Sequence, residues 1–257
     1  TIAERVTVHG VNSNIKFRHE RMRAIMKIHG FNTLTLLDYP GHLGATLFLG
    51  GCNFRCPFCQ NAGLVLSPQS EPYIEEEEVF SYLKKRRGIL EGVCITGGEP
   101  TLYENELPGF ISRIKDLGYL VKLDTNGTNP ELIRTLRENG LIDYAAMDIK
   151  SSKENYGKVA GVKDLDISSV CRSVEYLMNS GMDYEFRTTV VRELHSTEDF
   201  VSIGKWLAGC RAYYLQAYKD SENVIQRGFS SFSREELDDF CRLLRQTMPL
   251  VKTRGID

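Results

Sequence analysis

The stretch ATLFLGGCNFRCPFC, residues 45–59, joins a short run of apolar and β-branched residues to three closely spaced cysteines. The run is too short for a typical helix and is rich in residues that favour strands, so we predict a strand over 45–49. Gly50 and Gly51 follow, and glycine lets the backbone turn sharply. The sequence therefore predicts a buried strand whose end carries a loop of cysteines.

The same arrangement, a short β-rich run followed by a longer amphipathic segment, repeats along the chain. Six strands are predicted, at 45–49, 92–96, 119–124, 144–149, 184–191 and 212–217. Six helices are predicted, near 75–87, 104–117, 130–139, 167–180, 197–208 and 233–247. Repeated βα units build parallel sheets with right-handed connections. We therefore expect an α/β fold, a partial (β/α)6 barrel of parallel strands with functional groups at the strand ends; an open doubly wound sheet is the alternative.

The composition indicates a globular protein and excludes several classes of partner. The 257 residues are 42% hydrophobic and 26% charged with a formal net charge of −2, so the chain is neither disordered nor notably basic. No apolar run approaches the roughly 20 residues of a membrane span, and the N-terminus lacks a signal peptide's apolar core. We expect no nucleic-acid and no membrane partner. The seven cysteines, an odd number, favour reduced thiols in the cytoplasm over a disulfide framework.

Residues 1–27 differ from the rest of the chain. They carry six Lys or Arg against two Glu and contain few large apolar residues. We expect them to form an N-terminal extension, either flexible or lying upstream of the natural start, and we expect residues 28–257 to form a single domain.

Cys52, Cys56 and Cys59 are the candidate metal ligands. Three thiolates around a [4Fe–4S] cluster leave one iron without a protein ligand, and an open iron can bind a substrate or cofactor. Structural zinc needs four ligands, and the chain has no second close pair of Cys or His. Cys94 is a fourth ligand by type, but it lies within a predicted strand, where a buried thiol is expected. The triplet alone leaves zinc and iron–sulfur open.

A second motif accompanies the triplet. The pattern C-x3-C-x2-C with Phe58 before the last cysteine, followed by T-G-G-E-P at 96–100, resembles the radical S-adenosylmethionine (SAM) superfamily. The resemblance implies that the three cysteines hold a [4Fe–4S] cluster, that SAM binds the open iron beside Phe58, and that reductive cleavage of SAM gives a 5′-deoxyadenosyl radical.

The T-G-G-E-P motif ends a predicted strand. Gly97 and Gly98 lack Cβ atoms, which lets a ligand approach the backbone, and Glu99 adds a carboxylate. The resemblance assigns this turn to the methionyl amine of SAM. Without the cysteines, a Gly-Gly turn into a helix is the simpler interpretation.

Three further strand ends resemble those of glycyl-radical-enzyme activases within the superfamily. They are D-T-N-G at 124–127, M-D-I-K at 147–150 and the arginine of E-F-R-T-T-V-V at 185–191. The likeness implies cofactor contacts by Asp124, Asn126, Asp148, Lys150 and Arg187. Lys150 and Arg187 would steady the carboxylate or ribose side of SAM. The alternative is that Asp148 and Lys150 are ordinary surface charges at a strand end.

The same likeness implies a monovalent cation site. Its ligands would be Asp124, Thr125 and Asp148 with a backbone carbonyl near Ala146. Oxygen ligands of this kind suit a hard cation.

The similarity to activases runs from Ile28 along nearly the whole chain. I-H-G-F-N-T-L-T-L-L-D-Y-P-G-H at 28–42, L-Q-A-Y-K-D-S-E-N at 215–223 and R-G-I-D at 254–257 are most similar to the activating proteins of anaerobic ribonucleoside-triphosphate reductases. The resemblance implies an oxidoreductase that removes a Cα hydrogen from a glycine of a partner glycyl radical enzyme. The expected partner is anaerobic ribonucleotide reductase, and the expected electron donor is flavodoxin or a similar protein.

The remaining cysteines and one substitution limit which radical SAM reactions the resemblance supports. Cys171, Cys210 and Cys241 are widely scattered, so one cluster is expected. Lys219 stands where formate-lyase activase has a histidine near SAM, which weakens that assignment. One alternative is a radical SAM enzyme acting on a small molecule or another peptide. An alternative of another class is a zinc-stabilised binding protein without catalysis.

Overall fold

The computed structural model describes residues 26–256 and contains one eight-stranded sheet whose strands follow the order of the chain. The strands are β1 Ile28–Thr35, β2 Gly44–Leu49, β3 Gly92–Gly97, β4 Leu120–Thr125, β5 Tyr144–Asp148, β6 Asp183–Val190, β7 Tyr213–Ala217 and β8 Val251–Arg254. β1 pairs with β2 in the antiparallel sense, and β2 to β8 are parallel. Because β1 and β8 are the two edges, the sheet is an open part-barrel.

Eight α-helices accompany the sheet in the described part of the chain. They are α1 Ala62–Leu66, α2 Glu76–Lys85, α3 Leu107–Asp116, α4 Pro130–Glu138, α5 Tyr156–Ala160, α6 Ser168–Asn179, α7 Thr197–Trp206 and α8 Arg234–Leu244. The longer helices begin where the sequence provides caps. Ser196 and Ser233 each form a capping box at the start of α7 and α8, which satisfies backbone N–H groups that have no partner within the helix. No helix among residues 26–256 is long and apolar enough to cross a membrane.

The predicted partial barrel of parallel strands is confirmed, and the doubly wound alternative is wrong. Each predicted strand and helix overlaps an observed one. A doubly wound sheet would reverse its strand order, whereas this order is sequential. The structure adds β1 and β8 to the six predicted strands. The predicted extension falls almost wholly on residues 1–25, which lie outside the described residues, and the division at residue 28 stays a prediction.

The two faces of the sheet differ in polarity, and this difference positions the site. Leu47, Ile95 and Leu123 are fully buried in the apolar core on the helix side. The alternate positions on the other face include Thr46, Cys94, Lys122 and Asp124, and Cys94 and Lys122 are neighbours in register there. Since side chains alternate along a strand, the inner face of the part-barrel carries polar groups toward the carboxyl ends of the strands.

Candidate cofactor site at the strand ends

The carboxyl ends of the parallel strands surround a cavity of about 260 Å³. The three cysteines of the triplet line it. Eight of the nine predicted cofactor-binding residues also line it, namely Phe58, Gly97, Gly98, Asp124, Asn126, Asp148, Lys150 and Arg187. Thr125, a predicted cation ligand, lies on the same wall. The structure therefore brings together residues that are up to 135 positions apart in the sequence, from Cys52 to Arg187.

The cysteine loop presents three free thiols to this cavity. Cys56 is buried, and Cys52 and Cys59 are half-buried. The Cys52 Sγ accepts a hydrogen bond from the Phe54 N–H at 3.3 Å. Burial raises the pKa of Cys52 and raises that of Cys56 to about 11, although the positive charge of Lys150 acts in the opposite direction on both. Metal binding would therefore convert protonated thiols into thiolates and release protons.

The spacing of the thiols bears on the choice of metal. Within residues 26–256, no three His, Cys, Asp or Glu side chains converge on a point as they would around one metal ion. In a [4Fe–4S] cluster each cysteine binds a different iron, so the sulfur atoms surround the cluster instead of converging on one ion. Three thiols around one cavity suit such a cluster better than zinc.

Cys94 is a buried thiol within a strand, as predicted, and it does not line the cavity. It is fully buried in β3, and its Sγ lies 3.6 Å from the Lys122 Nζ. Burial raises the pKa of the Cys94 thiol well above its usual value. Cys94 is therefore an unreactive thiol on the inner face of the sheet.

The Gly-Gly turn is explained by backbone contact between two strand ends. A Cβ on Gly98 would lie 1.8 Å from the carbonyl oxygen of Gly51, and a Cβ on Gly97 would lie 2.2 Å from that of Leu49. Two hydrogen bonds join the same two segments: the Gly98 N–H donates to the Leu49 carbonyl oxygen and the Glu99 N–H donates to the Gly51 carbonyl oxygen, both at 2.8 Å. These glycines therefore let the cysteine loop rest on the end of β3, a reason that sequence analysis did not provide. Their contact with the SAM amine stays a prediction.

Glu99 is the predicted residue that does not line the cavity. Its side chain is fully buried, and its carboxylate accepts hydrogen bonds from the Thr101 N–H and hydroxyl, the Thr125 hydroxyl and the Asn126 N–H, at 2.6–3.0 Å. Burial raises the pKa of Glu99, while these hydrogen bonds act to lower it. In this structure Glu99 ties the end of β3 to the end of β4, and its contact with the SAM amine stays a prediction.

A chain of five charges runs along the inner face into the cavity. Its members alternate in sign: Lys122, Asp124, Arg187, Asp148 and Lys150. The Arg187 Nε donates to the Asp148 Oδ1 at 2.5 Å, and its Nη2 lies 3.2 Å from the Asp124 Oδ2. The Lys150 Nζ donates to the Asp148 Oδ2 at 3.0 Å. Lys122 does not line the cavity, so the four members that do line it balance in charge, and Lys150 and Arg187 are the two cations among them that an anionic group could contact.

The ionisation of this chain follows from its contacts. Burial alone would raise the pKa of Asp124 and Asp148, but Arg187 together with Lys122 or Lys150 outweighs it and lowers both pKa values. The pKa of Lys150 is raised, because the Asp148 charge outweighs the effect of burial. All five groups are therefore charged at neutral pH. The interpretation of Asp148 and Lys150 as ordinary surface charges is wrong, since the Lys150 side chain is only 14% exposed.

The same contacts bear on the predicted cation site. Both carboxylates that would bind the cation are already paired with Arg187. A monovalent cation would have to share these oxygens with a guanidinium group. The cation site stays a prediction.

Several polar residues at the site were not predicted. Asn61 lies just after the cysteine loop and donates from its Nδ2 to the Gly97 carbonyl oxygen at 2.9 Å. Thr189 and Gln216 line the cavity from β6 and β7. Thr189 and Gln216 could have been identified as polar side chains near the ends of predicted strands, which is how Asp148 was identified.

His195 was also not predicted as a site residue, and its ring forms hydrogen bonds with backbone groups beside the site. Its Nε2 lies 2.8 Å from the Lys150 carbonyl oxygen, and its Nδ1 lies 3.1 Å from the Val191 backbone. Burial lowers the pKa of His195, opposed by its hydrogen bonds with these backbone groups. A neutral imidazole therefore fixes the segment that carries Lys150. A lone histidine in the sequence gave no signal for this role.

Comparisons with known proteins agree with this arrangement. The family model of the radical SAM superfamily matches residues 46–206. A Methanocaldococcus jannaschii protein named "Putative glycyl-radical enzyme activating enzyme MJ1227" is 31% identical over 235 residues, which cover 90% of this chain and 96% of that protein. A 7-carboxy-7-deazaguanine synthase of Koribacter versatilis is 30% identical over 156 residues, which cover 60% of this chain and 64% of that enzyme.

Solved structures show the same fold at low sequence identity. Streptococcus suis SuiB bound to S-adenosylmethionine matches 79% of this chain with a TM-score of 0.63 and 14% identity, and the match covers about half of SuiB, 48%. Escherichia coli QueE matches 90% of this chain and 95% of its own, with a TM-score of 0.53 and 14% identity.

Proposed function

Because this chain belongs to the radical SAM superfamily, we propose that it is an activating enzyme that forms a glycyl radical in a partner glycyl radical enzyme, with anaerobic ribonucleotide reductase as the partner. The observation that carries the proposal is the end-to-end similarity to the jannaschii protein, of which 96% is covered. Membership of the superfamily also sets aside the zinc-stabilised binding protein. The superfamily uses a [4Fe–4S] cluster and SAM, and flavodoxin or a similar protein is the proposed electron donor.

In this proposal Cys52, Cys56 and Cys59 hold the cluster. The cluster would bind SAM at its open iron and would supply the electron for its reductive cleavage, and the radical chemistry on the glycine Cα would follow from that cofactor. The raised pKa values of Cys52 and Cys56 would make loading of the site dependent on pH, because these two thiols must lose their protons to become ligands.

The charged wall orients SAM. Lys150 and Arg187 are the cations on the cavity lining that would receive the SAM carboxylate. Asp148 holds both cations in place, and His195 fixes the backbone of Lys150. Positioning of this kind is the protein's contribution in an enzyme whose cofactor carries the difficult chemistry.

The apolar part of the lining limits side reactions. Phe54 and Phe58 line the cavity and are buried, and Val65 lies beside them. These side chains would keep water and other hydrogen donors away from the part of the cavity that they line.

A second candidate is a radical SAM enzyme that acts on a small molecule. It is favoured by the 30% identity to a 7-carboxy-7-deazaguanine synthase, although that match covers only 60% of this chain. The two candidates share the cluster and the SAM contacts and differ only in what enters the cavity.

Electron paramagnetic resonance distinguishes them. The anaerobically loaded protein is mixed with SAM, a one-electron reductant and an anaerobic ribonucleotide reductase. The proposal expects a glycyl radical doublet that is lost when the partner's radical glycine is replaced by alanine. SAM cleavage without a doublet would contradict the activase proposal and favour the second candidate.

A further inference from the structure

A shallow concave surface lies on the outer side of the cysteine loop. It is formed by the segment 153–165 around α5, whose residues 153, 154, 157, 158 and 161–165 line it, and we call it the lysine surface. Its exposed cations are Lys153, Lys158 and Lys163. None of them forms an ion pair with another residue in the described range 26–256, so their charges are available to a partner; Lys153 lies over the Trp206 ring at 5.2 Å.

The buried backbone of the same segment contacts the cysteine loop beneath the lysine surface. The Ala160 carbonyl oxygen accepts a hydrogen bond from the Arg55 N–H at 2.9 Å and lies 3.7 Å from the Cys56 Sγ. Gly161 has a φ of +67°, and a Cβ there would lie 2.1 Å from the Arg55 carbonyl oxygen. Only the peptide between Ala160 and Gly161 therefore separates the Cys56 thiol from this surface.

The charges around this contact favour an acidic partner. Arg55 is exposed, and its Nη1 donates to the carbonyl oxygens of Cys52 and Phe54 at 2.6 and 2.7 Å, which fixes a fourth cation over the loop. Glu154 and Asp164 lie among the lysines, and Asp166 at the border is hydrogen-bonded to Ser168. Four cations against three anions give a local positive excess on a chain whose formal net charge is −2.

We propose that an acidic electron-carrier protein docks on the lysine surface and delivers electrons through the contact between Ala160 and Cys56. The inference rests on the proposed function, because it requires a reducible cluster held by the cysteine loop. In the transfer the carrier loses one electron and the cluster gains it, and no bond is formed or broken. Docking here leaves the cavity at the strand ends open to SAM and to the substrate.

Charge reversal tests the proposal. The double variant Lys158→Glu with Lys163→Glu is compared with Lys84→Glu with Lys85→Glu. Lys84 and Lys85 are exposed in the last turn of α2, and Lys158 lies in the last turn of α5, so the helix context is matched. α2 leads into the start of β3, so the control charges lie toward the amino ends of the parallel strands, whereas the cysteine loop follows the carboxyl end of β2.

Two measurements are made with purified flavodoxin as the probe. Calorimetry gives its dissociation constant for each variant, and stopped-flow absorbance gives the rate at which reduced flavodoxin is oxidised by the loaded protein. We expect the lysine-surface variant to bind about tenfold more weakly and to react about tenfold more slowly at low salt. The difference should vanish near 1 M salt, where charges are screened beyond about 3 Å. Lys158→Arg should behave as the wild type.

Dithionite is a small reductant that needs no docking surface. Its rate of reduction therefore shows whether each variant still holds a reducible cluster. The proposal expects dithionite to reduce all variants at the same rate. It is overturned if flavodoxin binds the lysine-surface variant as well as the control, or if reduction by dithionite slows by the same factor. Glycyl radical formation driven by dithionite tests the proposed function separately, because it does not involve the lysine surface.

Discussion

The carbonyl oxygen of Gly51 lies where a side chain on Gly98 would have to be placed, since a Cβ there would be 1.8 Å away. The same oxygen accepts the N–H of Glu99 at 2.8 Å. Gly51 begins the cysteine loop and Gly98 begins the turn after β3. Their contact holds the proposed cluster ligands against the proposed SAM site, so the two sequence motifs form one structural unit.

Gly98→Ala should damage this unit. The added methyl group must push the cysteine loop away from β3, and overpacking of this kind costs about 1–3 kcal/mol or more. Urea unfolding should show the loss of stability, and iron analysis should show less iron per chain. Gly109→Ala is the control, because no atom beyond the adjacent residues and the backbone of α3 lies within 4 Å of its Cβ position. Equal iron content in both variants would contradict the role given to Gly98.

Cys56→Ala should abolish iron binding and SAM cleavage, because Cys56 is one of three proposed ligands. Cys171→Ala is the matched control, since Cys171 is a half-buried free thiol on α6, away from the cavity. Iron content and the yield of 5′-deoxyadenosine check both variants. SAM cleavage by the Cys56 variant at the wild-type rate would refute the ligand assignment.

Arg187→Gln should be strongly destabilising. Removing the guanidinium leaves Asp124 and Asp148 without their shared partner, and breaking a buried ion pair typically costs about 3–5 kcal/mol. Arg192→Gln provides the comparison, because Arg192 pairs with Glu236 at an exposed position and its loss should have no measurable effect. Urea unfolding at pH 7 measures both. Similar stability of the two variants would show that the charged wall is not a stabilising network.

Acid should weaken the fold through Asp148. Its pKa in the folded protein lies below the ordinary value of about 3.9, because Arg187 and Lys150 outweigh the effect of burial. The unfolded chain therefore takes up this proton first as the pH falls, and the stabilisation is present above about pH 5 and is lost progressively below it. Between pH 5 and 3 the free energy of unfolding should fall less steeply in Asp148→Asn than in the wild type. The two slopes should differ by at most about 1.4 kcal/mol per pH unit. Identical slopes would contradict this account.

The strand ends were predictable because acids and a basic residue at 124, 148 and 150 interrupt apolar runs. Such charges need partners, and parallel strands bring their carboxyl ends to one edge. β1 and β8 were not predicted. Three of the eight residues of β1 are exposed, and β8 has only four residues after Pro249, so neither shows a clear alternation of apolar and polar positions.

The partners of the buried side chains could not be predicted. The Glu99 carboxylate bonds to a backbone N–H 27 residues away, and the His195 ring bonds to a carbonyl 45 residues away. Local periodicity indicates which side chains are buried and does not indicate which groups meet them. The sequence suggested that Gly98 lets a ligand approach the backbone. It did not indicate the contact with the Gly51 carbonyl oxygen, because that contact joins two loops that are distant in sequence.

The central claim is that three cysteines hold a cluster with one iron open to SAM. The most direct test is electron paramagnetic resonance of the reduced, anaerobically loaded protein, recorded with and without SAM. The account predicts a reduced iron–sulfur signal that changes when SAM is added, together with formation of 5′-deoxyadenosine. A signal that SAM leaves unchanged, with no product, would contradict it.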